Sequence, residues 1–155
     1  MMKTRIAAVS LALSFMAIGV CFGANPHMGT WKFNEAKSKL APGIGKNITV
    51  VYAEMKDKMK VTVDGVDKDG KPTHAVWLGK ADGKAYKTKG NLAWDAAAYK
   101  VVNDNTYEIT TMKGEKLFAN GKSTVSADGK TREVTTSGTT EDGKKFKNKS
   151  VYDKQ

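Results

Sequence analysis

Two histidines are the first residues to weigh for chemistry, because imidazole is the side chain that titrates near neutral pH. His27 and His74 are the only two in the chain. A zinc centre needs three or four clustered ligands, and no His-x-His pair or cysteine spacing accompanies them. Nucleophilic catalysis needs a base beside an activated Ser, Thr or Cys, and no nucleophile elbow occurs. Both histidines therefore read as satisfied or exposed side chains, with His27 in a mobile stretch near the N-terminus. Asp67-Lys68-Asp69-Gly70 has the front of a calcium loop, but Gly65 stands at the first ligand position and Val76 at the closing acid position. It reads as a hairpin turn. Gly43-Ile44-Gly45-Lys46 has the end of a phosphate-binding loop, but Leu40 replaces its first glycine and Asn47 its Ser or Thr. The acids fall mostly in turns, which disfavours the paired carboxylates of glycoside chemistry. No catalytic residue, metal ligand or cofactor is assigned, and the chain is read as non-enzymatic.

The N-terminus has a different use. Met1-Met2-Lys3-Thr4-Arg5 precedes an apolar run from Ile6 to Phe22, the pattern of a secretory leader. Cleavage after Gly23 places Cys21 and Gly23 at the two small-residue positions. The expectation is a signal peptide over residues 1–23 and one domain over residues 24–155, periplasmic or secreted, with no transmembrane segment after removal. Cys21 is the only cysteine, so the remaining chain must be held by its core rather than by disulfides. A domain of this length can bury such a core.

The 155 residues carry 26 Lys plus Arg against 16 Asp plus Glu, a net charge of +10. Beyond the leader, Arg132 is the only arginine. Lysine is a hydrated point charge, poor at bidentate phosphate recognition. Aromatics are few and fall at core-like positions, so nucleic acid is not an expected partner. The lysines are interspersed with acids, the pattern of a solvated surface, and the chain is expected to be a monomer.

Those residues need positioning, and the turn signals say by what. Asp-Gly-Lys occurs at Asp69-Gly70-Lys71, Asp82-Gly83-Lys84, Asp128-Gly129-Lys130 and Asp142-Gly143-Lys144. Asp-Gly supplies the positive φ that hairpin turns demand. Between the turns lie short runs rich in Val, Thr, Tyr and Ile. Met59, Val61 and Val63 alternate with Lys60, Thr62 and Asp64, which means one wet face and one buried face. The spacing predicts strands near residues 29–34, 47–54, 59–67, 73–78, 85–88, 98–102, 106–112, 117–126, 132–140 and 145–153. It also predicts a short helical turn capped by Asn34 and a long loop from Gly90 to Ala97 containing Trp94. The fold class is all-β: an antiparallel up-and-down barrel of about 8–10 strands, with a β-sandwich as the alternative.

Gly29-Thr30-Trp31 opens the first strand, and Val151-Tyr152-Asp153-Lys154 closes the last. This pair of ends resembles the calycins, the lipocalins and fatty-acid-binding proteins. The longer string Gly29-Thr30-Trp31-Lys32-Phe33-Asn34, with Lys37-Ser38 and Pro42-Gly43, is similar to small exported bacterial proteins described as lipocalin-like. The resemblance implies a barrel plugged at one end by Trp31 and a small apolar or amphipathic ligand inside. It departs from the family at Ser150, where the fatty-acid-binding branch has an arginine. It departs again after Arg132, where the late arginine that stacks on the lipocalin tryptophan is absent and Lys147 or Lys149 stands in its place. In a barrel alternate residues face inward. The interior expected here is Val50, Tyr52, Val61, Val63, Val76, Tyr99, Val101, Tyr107, Ile109, Val134 and Tyr152, an apolar wall with phenolic hydroxyls. The second functional reading is an envelope-associated structural or interaction protein whose lysine-rich exterior meets anionic surfaces.

Overall fold

The computed structural model describes residues 23–155; the leader expected over residues 1–23 lies almost wholly outside them. Ten strands form: β1 Gly29–Phe33, β2 Lys46–Met55, β3 Lys58–Val66, β4 Pro72–Gly79, β5 Asp82–Gly90, β6 Ala96–Asn103, β7 Thr106–Lys113, β8 Lys116–Val125, β9 Thr131–Thr139 and β10 Lys145–Lys154. Each pairs antiparallel with its sequence neighbour. β1 pairs with both β2 and β10, so the sheet closes as an up-and-down barrel. The closing register sets Trp31 opposite Val50 on one side and Lys154 on the other. The two ends that carry the sequence resemblance are thus the two sides of the seam. A sandwich is excluded, because closure leaves no edge strand.

The turns follow the chemistry read from the sequence. Gly70, Gly129 and Gly143 all adopt positive φ. Asp82-Gly83 differs: the reversal comes earlier, at Lys80-Ala81, and Gly83 sits inside β5 where the β5–β6 register shifts between Asp82 and Ala85. It makes a bulge rather than a turn. The Asn34 side chain accepts a hydrogen bond from the Lys37 backbone at 3.1 Å and caps a 3-10 turn over Glu35–Lys37. The loop expected from Gly90 to Ala97 shortens to residues 91–95, and Trp94 packs on the core.

Closing so many strands requires sharp coiling, and glycine supplies it where neighbouring backbones meet. A Cβ on Gly90 would lie 2.1 Å from the His74 carbonyl oxygen, and Gly90 has φ +140°. A Cβ on Gly121 would lie 2.1 Å from the Thr135 oxygen.

Alternation holds along most strands, with one phase error in the sequence reading. On β4 the buried residues are Thr73, Ala75, Trp77 and Gly79. Val76 therefore points outward, not into the barrel. Both phases of Thr73-His74-Ala75-Val76-Trp77-Leu78 carry apolar side chains, and the barrel buries the larger payload, Trp77. Val101 shares the inward phase of Tyr99 but lies at the rim, 50% exposed, because β6 ends two residues later.

Candidate functional site

The core concentrates at one end of the barrel, beneath residues 25–28. Trp31 is fully buried there. Its indole Nε1 donates to the His27 carbonyl at 2.8 Å, so the tryptophan holds the N-terminal segment across the barrel mouth. Asn25 Nδ2 donates to the Tyr107 hydroxyl at 2.7 Å, and Lys154 Nζ donates to the Pro26 carbonyl at 3.3 Å. These bonds tie the segment to β1, β7 and β10. His27 is not mobile, as the sequence suggested. Its ring is fully buried and stacks on Tyr107 at a centroid distance of 3.8 Å and an angle of 11°. Proximity to a chain end says little once a neighbour such as Trp31 captures the backbone.

Burial holds the His27 imidazole down to about 4, with the Arg132 charge adding to the effect and the Asn105 backbone opposing it. Neither ring nitrogen finds a hydrogen bond of normal geometry. The ring is therefore neutral at pH 7, an apolar plate against Tyr107.

Arg132 is the centre of the arrangement. It is 2% exposed, inward on β9 and opposite Tyr152 of β10. Its guanidinium carbon lies 5.4 Å from the Trp31 ring, 4.7 Å from Tyr52 and 4.7 Å from Tyr152. A cation over aromatic faces is attracted by their quadrupoles, and arginine is the residue that stacks best. Arg132 gives Trp31 a stacking cation, which the sequence reading looked for only later in the chain. Lys147 and Lys149 do not replace it: both are exposed on the exterior of β10, and Lys149 pairs with Glu133 at 2.9 Å. Arg132 is the only arginine after residue 23. Sequence order does not reveal its place, because the register β1-β10-β9 sets its distance from Trp31.

The remaining interior residues join this cluster. Val50, Tyr52, Val61, Val63, Tyr99, Tyr107 and Tyr152 are buried, with Ile109 and Val134 packed against them. Trp77, which the sequence reading omitted, bridges them: its ring is 4.6 Å from Tyr99, and its Nε1 donates to the Ala97 carbonyl at 2.9 Å. Tyr99 contacts Tyr52 and Tyr107 edge-on, each at 6.2 Å. Burial, helped by neighbouring Tyr52, pushes the Tyr99 hydroxyl well above its usual value; burial also raises Tyr152. Both are neutral donors at physiological pH.

Several buried polar atoms have no protein partner: both His27 ring nitrogens, Ser123 Oγ, Arg132 Nε and Nη1, and the hydroxyls of Thr73 and Thr88. No Asp or Glu among the described residues is buried, so the Arg132 charge has no buried carboxylate to meet it. A concavity of about 300 Å³ opens beside the 25–28 segment, with Met28, Met59, Ala81, Val101 and Tyr107 in its lining and Glu54, Lys58 and Lys80 among its charged residues. A larger one, about 410 Å³, lies on the outside of β7–β10 around Gly121, remote from the aromatic cluster. Its polar lining (Thr110, Asn120, Lys122, Ser137) belongs to the exterior face. Among the described residues no group of three or more His, Cys, Asp or Glu is placed to hold a metal, and no helix is long and apolar enough to cross a membrane.

No protein-family model matches the chain, and no curated protein matches it. Solved structures do. A redesigned β-barrel, b11L5F_LGL, is similar at 15% identity and a TM-score of 0.48, over 84% of this chain and 92% of that one. EF1p2_mFAP2b bound to DFHBI is similar at 13% identity and a TM-score of 0.46, over 84% and 94%. The redesigned β-barrel mFAP1, bound to DFHBI, is similar at 16% identity and a TM-score of 0.43, over 83% and 95%.

Proposed function

We propose that this chain is an exported, non-catalytic lipocalin-like barrel that binds a small amphipathic molecule, with the apolar part among the inward aromatics and an acidic or strongly hydrogen-accepting head at Arg132. One observation carries the reading. Arg132 is a buried cation with two unpartnered nitrogens and no buried acid to neutralise it. Burying an unpaired charge is costly, and cation–π contacts offset only part of the cost. An anionic head supplies what the interior lacks, through charge-assisted hydrogen bonds. Ser123 Oγ is a second free partner on the adjacent strand. The aromatic side chains now pack against one another, so entry requires the Asn25–Met28 segment to lift at the mouth beside Tyr107. Its few hydrogen bonds make that the easiest part of the barrel to open.

The first test is native mass spectrometry of the protein purified from the envelope, followed by organic extraction. The expected result is a defined extra mass, released on denaturation and absent from a Val63→Trp variant whose interior is filled. The second test isolates the head. An anionic naphthalene sulfonate probe is expected to bind Arg132→Leu about tenfold or more weakly than the parent, while a neutral naphthylamine probe binds both alike. Equal loss of both probes, or of neither, would remove Arg132 from the site. A clean apo mass together with failure to take up either probe would end the binding-protein reading.

A further inference from the structure

The outward turn of Val76 has a consequence on the barrel's exterior. Val76 faces Lys89 of β5 and Thr62 of β3, and Leu78 faces Lys60 of β3. Lys87 lies two residues from Lys89 on the same face of β5. Across β3 the rows continue to Val51 and Ala53 of β2. Leu78 is 45% exposed. An apolar strip, Val51, Ala53, Val76 and Leu78, is therefore interleaved with lysines on the outside of β2–β5. Lys60, Lys87 and Lys89 join none of the ion pairs formed among the described residues. The neighbouring acid in the rows, Asp64, is held by His74 Nδ1 at 2.6 Å.

We infer that this face docks the barrel on an anionic lipid bilayer. The chemistry favours a bilayer over an acidic protein. Neither of the two concavities described above is lined by Val51, Ala53, Val76 or Leu78. Lysine stems lie along apolar surface while their ammonium groups reach outward. At a membrane surface that geometry sets Leu78 and Val76 at the acyl boundary and the three ammonium groups among the headgroups. Lysine's compact charge suits phosphate headgroups that offer no fixed bidentate geometry. Each lysine near such a surface adds attraction, and salt screens it. The inference does not depend on the interior ligand, since the strip and the Arg132 cluster face opposite sides of the sheet.

The test is vesicle co-sedimentation of the protein without its leader. Phosphatidylcholine vesicles are compared with vesicles containing about 30% phosphatidylglycerol, at about 50 mM and about 500 mM salt. Binding is expected only to the anionic vesicles at low salt. The Lys60→Glu, Lys87→Glu, Lys89→Glu triple variant is expected to bind at least about tenfold more weakly. A control triple with the same charge change, Lys113→Glu, Lys116→Glu, Lys145→Glu, is expected to retain most of the binding. These control lysines are exposed on β7, β8 and β10, outside the β2–β5 face, at the β7–β8 and β9–β10 hairpins. Leu78→Ser is expected to weaken binding several-fold without changing its salt dependence. Melting temperature and circular dichroism check that each variant folds. Equal losses in both triples would reduce the effect to net charge and overturn the assignment of this face. Equal binding to phosphatidylcholine, or no binding to either vesicle, would overturn the lipid partner itself.

Discussion

Gly90→Ala is expected to cost more than about 3 kcal/mol, enough to leave a marginal barrel unfolded. Two independent costs add there. The backbone at Gly90 has φ +140°, a region L side chains rarely adopt. The added Cβ would also overlap the His74 carbonyl oxygen at 2.1 Å and Ala75 Cα at 2.6 Å. These are backbone atoms of the paired strand β4, so no rotamer change relieves the contact, and the β4–β5 ladder must open. Gly129→Ala is the comparison. Gly129 also has positive φ, +72°, but a Cβ there meets nothing within 4 Å. It is expected to cost about 1 kcal/mol, the backbone term alone. Urea unfolding of the two variants measures the difference. Similar midpoints would mean that strand approach at Gly90 is not what glycine serves in this barrel.

Acid is expected to destabilise the protein between pH 6.5 and about 4 through one residue. The unfolded chain binds a proton at His27 near the ordinary value of 6.5, whereas the folded barrel keeps the imidazole neutral down to about 4. Where the unfolded state binds more protons, stability falls as pH falls. The contribution is fully present above pH 6.5 and is fully lost once pH reaches about 4. The shift corresponds to about 2–3 kcal/mol, allowing for solvent at the nearby mouth. Protonation would place a cation beside Arg132 and Lys154, both of which already oppose it. His27→Gln removes the titrating group, and its stability is expected to be nearly flat across this window. The carboxylates with lowered values, Asp57, Asp67, Asp82, Asp128 and Asp142, lose their contributions progressively from about pH 5 downward. They enter only at the acid edge of this window, so the decline between pH 7 and 5.5 is the histidine's. Denaturant unfolding at pH 7, 5.5 and 4 decides the matter: a parallel decline in His27→Gln would place the acid sensitivity elsewhere.

The legible part of the fold was the part written in local chemistry. Asp-Gly turns, the Asn34 cap and the alternation Met59, Val61, Val63 each depend on residues within a few positions of one another, so they survive as sequence signals. The phase of β4 was not legible, because Ala75 and Trp77 on one face compete with Val76 and Leu78 on the other. Alternation alone does not choose between two apolar faces. Only the pairing with β3, which sets Trp77 opposite the buried Val61, decides it.

The site divides along the same line. Its inward valines and tyrosines on β2, β3, β7 and β10 could be named from period-two patterning, and Trp31 from the Gly29-Thr30-Trp31 string. Arg132 and His27 could not. Nothing in the residues around Arg132 marks it as buried, and charged side chains are seldom buried without a partner. It becomes the centre of the interior because closure brings β9 beside β10, and β10 beside β1, carrying Tyr152 and Trp31 to its guanidinium. His27 is buried because Trp31 captures its carbonyl across the barrel mouth. By itself the sequence determined that this is an all-β chain, where most of its reversals fall and which residue types line one face, since short-range backbone preferences and periodicity specify those. The closed tertiary structure decided which charges lie inside, which apolar residues are left outside and where the interior opens, because those depend on contacts between strands distant in sequence.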